Sequence, residues 1–172
     1  FGFICFKFGH YSIIIEMNKT YCVIMAGGIG SRFWPLSKTS RPKQFIDILG
    51  TGETLIQQTF RRFLPVCPAE NFLVVTNAEY KDTVLEQLPA LKPEQILSEP
   101  LRRNTAPCIA YACHKIKCRE ENATIIVAPS DHLISREDEF IDQIKNGINF
   151  VTQNDALLTL GITPHRPETG YG

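Results

Sequence analysis

Three short runs of apolar, largely β-branched residues constrain the fold of this chain more than any other feature. They cover residues 21–25, 72–76 and 124–128, and none of them alternates apolar with polar residues. Such runs are typical of strands that are covered on both faces, as in a parallel sheet. Segments with a helical pattern separate them, so the sequence predicts an α/β fold with a mainly parallel sheet.

The remaining segments complete an alternation of strands and helices. Helices are expected over 53–64, 79–88, 105–118 and 136–152, and strands over 21–26, 72–76, 95–98, 124–128 and 156–161. Right-handed crossovers would bring the loops that follow the parallel strands to one edge of the sheet, where ligands of open α/β sheets bind. The last strand would leave an uncovered edge, which favours a homo-oligomer.

Length, charge and cysteine spacing limit the class of protein. A chain of 172 residues with 44% hydrophobic residues can form one substantial core. Its formal net charge of zero argues against a nucleic-acid or membrane-surface role, because both need a basic patch. The cysteines include no Cys-x-x-Cys pair, so we expect reduced thiols in a cytoplasmic protein, without a zinc site or disulfide framework.

The chain is predicted to divide at Met17. Residues 1–16 are rich in aromatic residues, but charged residues interrupt them, so neither a signal peptide nor a membrane span is predicted. We expect residues 1–16 to be an upstream extension or a cloning artefact outside the fold. Residues 17–172 would then form the N-terminal, nucleotide-binding part of one domain.

The first predicted strand leads directly into a glycine-rich loop with two cations. Gly27, Gly28 and Gly30 allow the backbone to approach a ligand closely, and amides in such a turn converge on an anion. Arg32 offers planar donors for two phosphate oxygens, and Lys43 offers a movable point charge. Neither the dinucleotide fingerprint nor the Walker A loop is present. The sequence therefore predicts a polyphosphate site of another kind.

Four motifs follow one another along the chain. They are Ala-Gly-Gly-Ile-Gly-Ser-Arg at 26–32 with Pro-Lys-Gln-Phe at 42–45, Glu-Pro-Leu-Arg-Arg-Asn-Thr-Ala-Pro at 99–107, Pro-Ser-Asp-His at 129–132, and Gly-Ile-Thr-Pro-His-Arg-Pro-Glu-Thr-Gly-Tyr-Gly at 161–172. Together they resemble the sugar nucleotidyltransferases, and in particular the mannose-1-phosphate guanylyltransferase branch. Phe33 and His165 depart from the residues that are frequent there. The resemblance implies a three-layer, Rossmann-like nucleotidyltransferase fold, truncated because the chain ends inside the fourth motif.

The reaction that the resemblance implies is transfer of GMP from GTP to mannose 1-phosphate. A phosphate oxygen would attack the α-phosphorus in line, giving GDP-mannose and pyrophosphate. The attacking phosphate is already anionic, so alignment and positive charge are the main catalytic requirements. By resemblance, Arg32 would bind the β- and γ-phosphates, Lys43 the α-phosphate, and Asp131 a magnesium ion whose second carboxylate ligand lies beyond Gly172.

Further residues are assigned by the same resemblance to the nucleotide and the sugar. Nucleotide contacts are expected from Ala26, Gly27, Gly28, Gly30, Ser31, Glu99, Asn104 and Thr105. Glu99 would accept hydrogen bonds from guanine, and Asn104 could instead, or also, cap the helix that follows it. Glu168, Thr169 and Gly170 would begin the sugar pocket. Trp34 is expected to anchor the loop to the core, and His132 to orient Asp131.

Two alternatives stay open at this point. Another sugar-1-phosphate nucleotidyltransferase would carry similar motifs, and a nucleotide-binding regulatory partner could keep the loop without catalysis. The presence of Arg32, Lys43 and Asp131 argues against the second alternative. The sequence does not decide whether a phosphomannose isomerase domain follows. With much of the sugar site missing, we expect this chain to bind GTP weakly at best and not to turn over.

Overall fold

The structure is a computed structural model, and it describes residues 3–7, 19–28, 34–38, 40–99 and 104–161. The strands are β1 Phe3–Lys7, β2 Thr20–Met25, β3 Phe72–Asn77, β4 Ile96–Glu99, β5 Thr124–Pro129 and β6 Leu157–Leu160. The α-helices are α1 Leu55–Phe63, α2 Lys81–Gln87, α3 Thr105–Lys117 and α4 Glu137–Gln153. Each predicted strand and helix from residue 21 onwards is present, with ends within about two residues of those expected.

The strands form one six-stranded sheet in the order β4-β3-β2-β5-β1-β6. The strands β4, β3, β2 and β5 are mutually parallel, and helices connect them in the chain. The strand β1 runs antiparallel to both of its neighbours, β5 and β6. The predicted α/β class with a mainly parallel sheet is therefore confirmed.

Hydrophobic side chains of the central strands point alternately into two separate cores. Cys22 and Ile24 of β2 belong to the core under α1, α2 and α4, whereas Val23 belongs to the core under α3. The neighbouring strands β3 and β5 divide in the same way. Burial on both faces explains why these runs contain no polar alternation, and it produces the predicted three layers.

Residues 3–7 differ from the expectation. Phe3–Lys7 forms β1, which lies between β5 and β6 rather than outside the fold. The registers pair Cys5 with Ile126 on one side and with Leu158 on the other. Sequence reasoning missed this strand because an antiparallel strand that joins two distant segments leaves no local signal of its partners. The origin of residues 1–16 stays a prediction.

Two other properties bear on the class of protein. None of the helices in the described ranges is long and apolar enough to cross a membrane. Four of the described cysteines are free thiols: Cys67, Cys108, Cys113 and Cys118. Burial raises the pKa of Cys113 to about 11, so this thiol stays protonated at neutral pH.

Candidate active site

The loops that follow the parallel strands are joined at one edge of the sheet. The Ala26 amide donates to the Val75 carbonyl oxygen at 2.8 Å, and the Ser130 amide donates to the Met25 carbonyl oxygen at 3.1 Å. The hydroxyl of Thr76 donates to the Ala26 carbonyl oxygen at 3.0 Å. These bonds continue the sheet beyond the strand ends, so the first residues of the glycine-rich loop and of the Asp131 loop are held side by side.

Lys43 and Asp131 form an ion pair across this edge. Lys43 Nζ lies 2.5 Å from Asp131 Oδ2, and the two side chains are 21% and 32% exposed. The two residues come from the long loop after β2 and from the loop after β5, so the fold itself brings these charges together. A partly exposed pair at this distance can exchange partners when a charged ligand arrives.

The segment that carries Lys43 is anchored by Phe45. Pro42 is extended, with φ −60° and ψ 159°, and Lys43–Phe45 then makes one turn of 3-10 helix. Phe45 is 1% exposed, and its ring centroid lies 5.7 Å from that of Tyr80. Trp34, which was expected to anchor this loop, is 76% exposed, so that expectation is wrong.

Gln44, which sequence reasoning gave no role, contacts the glycine-rich loop directly. Its side chain is buried, and its Nε2 donates to the carbonyl oxygens of Ala26 at 3.0 Å and of Gly28 at 2.9 Å. The signal that could have identified it is its place beside Lys43 in a motif, as a long polar side chain between the cation and a buried phenylalanine. Its partners are 16 to 18 residues earlier in the chain and could not be read from the sequence.

Glu99 lies next to the glycine-rich loop. A β-carbon placed on Gly27 would be 3.4 Å from Glu99 Oε2, so the Glu99 carboxyl group lies within van der Waals range of this part of the loop. Burial raises the pKa of Glu99 above its ordinary value. A carboxyl group that gains a proton unusually easily, at the ligand edge of an α/β sheet, is typical of a functional position.

His132 does not hydrogen-bond to Asp131. The distance from its Nε2 to Asp131 Oδ1 is 3.9 Å, which is too long, so this structure does not support the predicted orienting contact. Burial lowers the pKa of His132; the Asp131 carboxylate acts in the opposite direction, and Lys43 lowers the pKa further. The imidazole is therefore uncharged at neutral pH and adds no positive charge to the site.

The helix α3 begins directly after Asn104, as the prediction that Asn104 caps this helix requires. Asn104 is the residue before the helix, but its side chain makes no capping hydrogen bond to the described helix, so only the position of the cap is as expected. Its φ of 68° and ψ of −168° are in a region that residues other than glycine rarely adopt. Thr105 is the first residue of the helix.

Several expected site residues lie outside the described ranges. They are Gly30, Ser31 and Arg32 of the first loop, and Glu168, Thr169 and Gly170 of the fourth motif. Among the expected residues that are described, the structure brings together Ala26, Gly27, Gly28, Lys43, Glu99 and Asp131, while Asn104 and Thr105 follow β4 at the start of α3.

The carboxylates of this site suit a metal ion whose ligands come mainly from substrate phosphates and water. Within the described part of the chain, no three His, Cys, Asp or Glu side chains are grouped so that they could hold a metal ion together. Asp131 is a partly exposed carboxylate beside Lys43. Magnesium in phosphate sites needs only one or two carboxylates in addition to phosphate oxygens and water. Asp131 therefore fits such an ion as one of its protein ligands.

Comparison with known proteins identifies the family. The sequence model of the nucleotidyl transferase family matches residues 21–172. The chain belongs to this family. The mannose-1-phosphate guanylyltransferase of Salmonella muenchen is 42% identical over 160 residues, which are 91% of this chain and 33% of that protein. The protein of the same name from Escherichia coli (strain K12) is 41% identical over 162 residues, 92% of this chain and 33% of that protein.

A solved structure agrees with the nucleotidyl transferase assignment. The crystal structure described as mannose-1-phosphate geranyltransferase from Thermus thermophilus superposes with a TM-score of 0.67 and is 30% identical. The match covers 74% of this chain and 37% of that one. The chain spans about a third of the length of the curated relatives named above.

Proposed function

We propose that this chain is the nucleotide-binding part of a mannose-1-phosphate guanylyltransferase. The whole enzyme would transfer GMP from GTP to mannose 1-phosphate and release pyrophosphate. The observation that carries the proposal is the convergence of the glycine-rich loop, the Lys43–Asp131 pair and Glu99 at one edge of the sheet. The names of relatives at about 40% identity support the choice of substrates.

The proposed reaction needs little more than alignment and charge. The attacking oxygen of mannose 1-phosphate is already anionic near neutral pH, so no general base is required. Lys43 would bind the α-phosphate and stabilise the charge that develops there during attack. Arg32 would bind the β- and γ-phosphates and so favour departure of pyrophosphate. Because Lys43 already lies against a carboxylate, an arriving phosphate would replace one anionic partner by another.

A magnesium ion at Asp131 is part of the proposal. Such an ion would supply positive charge to phosphate oxygens and so reduce the repulsion between GTP and the sugar phosphate. Asp131 would hold the ion, and Lys43 beside it would turn to the α-phosphate. The two residues would then act on the same phosphate from a common position.

The remaining residues would select the base and the sugar. Glu99 would accept from the ring N–H and amino group of guanine, a pattern that adenine does not offer. Asn104 and Thr105 would contact the nucleotide at the start of α3. Glu168, Thr169 and Gly170 would begin the sugar pocket. We expect the chain by itself to bind GTP weakly and to form no GDP-mannose.

A titration of GTP into the 15N-labelled 172-residue chain tests this proposal, because amide shifts report weak binding at defined residues. With magnesium present, GTP should shift the amides of Gly27 and Gly28 and bind more tightly than ATP. A chain on which neither nucleotide shifts these amides would contradict the proposal. Equal binding of both nucleotides would favour a phosphate site without base selection.

Lys43→Ala tests the proposed phosphate contact most directly. It should weaken GTP binding by this chain, and in an enzyme with a whole sugar site it should slow turnover by about 100-fold or more. Lys38→Ala is the matched control, because Lys38 is an exposed lysine of the same loop. Equal effects of the two substitutions would mean that Lys43 acts only through the general charge of the loop.

A further inference from the structure

Gln44 connects the glycine-rich loop with the turn that carries Lys43. It is 2% exposed, and it lies between Lys43 and the buried Phe45 in one turn of 3-10 helix. We infer that Gln44 is a positioning residue, which fixes the glycine-rich loop in the conformation that binds the phosphates of the nucleotide. This role rests on the proposed function, since it concerns how that same site is held ready.

Both hydrogens of the Gln44 amide are used on the loop. Nε2 donates to the carbonyl oxygens of Ala26 at 3.0 Å and Gly28 at 2.9 Å. Only the NH2 end of the amide can bind two carbonyl oxygens, so these contacts determine its orientation. Two acceptors on either side of Gly27 also prevent the amide from rotating freely.

The two bonds determine which way the loop presents its donors. In a trans peptide, the carbonyl oxygen of one residue and the N–H of the next point in opposite directions. Because Gln44 and Thr76 hold the Ala26 oxygen, the Gly27 N–H points away from both of them. Backbone donors that are oriented before the ligand arrives bind an anion without a further cost of ordering.

The same residue couples the loop to the cation. Lys43 precedes Gln44 in the chain, and Phe45 holds the turn by packing against Tyr80. Displacement of the turn would therefore move Lys43 and at the same time break the hydrogen bonds from Gln44 to the carbonyl oxygens of Ala26 and Gly28. The distance between the lysine charge and the loop amides is in this way built into the fold.

The contribution of Gln44 to folding is expected to be smaller than its contribution to binding. The Ala26 oxygen keeps a partner without Gln44, because Thr76 also donates to it at 3.0 Å. Gly28 is exposed, so water can replace Gln44 on its oxygen. Methionine has nearly the same shape as glutamine and can fill the same buried space. Gln44→Met should therefore separate the two contributions.

Gln95 supplies a matched control. It is also buried, at 4% exposure, and its Nε2 donates to two carbonyl oxygens, those of Ala69 and Phe72, both at 2.8 Å. These carbonyl groups lie at the start of β3, at the end of the sheet opposite the site. Its Oε1 also accepts from the Lys92 amide at 2.9 Å, so Gln95→Met removes at least as many hydrogen bonds as Gln44→Met without touching the glycine-rich loop.

The test compares both variants in the 172-residue chain. Gln44→Met should weaken the affinity for GTP with magnesium by about 10-fold or more. It should also lower the backbone order parameters of Gly27 and Gly28 in the ligand-free protein, from about 0.85 toward 0.6. Gln95→Met should leave the affinity and the order parameters unchanged, even if it lowers the melting temperature more than Gln44→Met does.

A second variant covers the case in which Gln44→Met does not fold. Gln44→Glu keeps the length of the side chain, but its carboxylate would face two carbonyl oxygens. Burial raises the pKa of a carboxyl group, so at lower pH the new side chain would gain a proton and could again donate one hydrogen bond to the loop. The loss of affinity relative to the unsubstituted protein should therefore be larger at pH 8 than at pH 6.

The measurements separate this inference from the proposed function. If GTP does not bind to the unsubstituted chain, the proposed function fails, and the order parameters still decide whether Gln44 fixes the loop. If GTP binds and Gln44→Met changes neither the affinity nor the order parameters, the positioning role fails alone. Equal losses in Gln44→Met and Gln95→Met would also overturn it.

Discussion

At the scale of single residues, Glu99 is where protonation should control binding. Burial raises its pKa, so it takes up a proton at a higher pH than an exposed glutamate does. Only the ionised form can accept from guanine at both oxygens. The preference for GTP over ATP should therefore be present above the raised pKa and be lost as the pH falls through it. Competition titrations of the two nucleotides over a pH series measure this.

Substitution of Glu99 tests the same contact without a change of pH. Glu99→Gln should reduce the ratio of GTP to ATP affinity by about 10-fold, because a charged hydrogen-bond acceptor is lost. The ratio should then no longer depend on pH. Glu94→Gln is the control, since Glu94 is an exposed acid just before β4. An unchanged ratio in Glu99→Gln would remove Glu99 from base recognition.

The residues of the site differ in how far sequence could predict them. The position of Lys43, Glu99 and Asp131 at one edge of the sheet was predictable, because each lies at or after the end of a recognisable strand and parallel strands end at one edge. Gln44 was not, because its role depends on carbonyl groups that the fold brings back to it. The expectation that Trp34 anchors the loop was wrong, because Trp34 is exposed and Phe45 is the buried aromatic residue of this loop.

At the scale of elements, an ion cluster joins α1 to the start of α4. Glu137, the first residue of α4, accepts from Arg61 Nη1 at 2.9 Å and from Arg62 Nε at 2.9 Å. The Arg62 side chain is 1% exposed, and its Nη1 and Nη2 have no hydrogen-bond partner among the described residues. The α4 end of the Asp131 loop therefore depends on one carboxylate that compensates a buried charge.

Removing this carboxylate alone should cost more stability than removing it together with the buried arginine. Glu137→Gln leaves Arg62 buried without a counter-charge, which should lower the free energy of unfolding by about 3 kcal/mol. Adding Arg62→Met to Glu137→Gln should recover most of that loss. Urea unfolding of the two variants measures both effects. Glu139→Gln, at a 65% exposed position, is the control and should change stability by less than about 0.5 kcal/mol.

The same cluster should make stability depend on acid pH. Burial raises the pKa of Glu137, but the hydrogen bonds from Arg61 and Arg62 outweigh it and hold the pKa below its ordinary value. Its contribution is complete above the unfolded value of about 4.3 and is lost as the pH falls through the lowered pKa. Glu137→Gln should therefore flatten the fall in stability below about pH 4.3.

At the scale of the whole molecule, β1 determines how the sheet is completed. The regular elements after β2 were predictable because each shows a local hydrophobic pattern, whereas β1 depends on pairing with two distant strands. In the sheet order, β1 is the hydrogen-bonded neighbour of β6 and also covers the edge of β5. Four residue pairs join it to each of these strands. Without β1, two strand edges would be open to pairing with another chain.

Deletion of residues 1–16 should therefore destabilise the chain and promote association. A loss of about 2 kcal/mol would lower the melting temperature of a domain of this size by roughly 4–8 °C. Light scattering should show a mass that rises with concentration, because the open edges of β5 and β6 can pair between copies. Replacing only residues 11–16 by a Gly-Ser linker of the same length keeps β1 and is the control. A shortened chain that stays monomeric and equally stable would show that β1 is dispensable, and that Met17 is an adequate start for the fold.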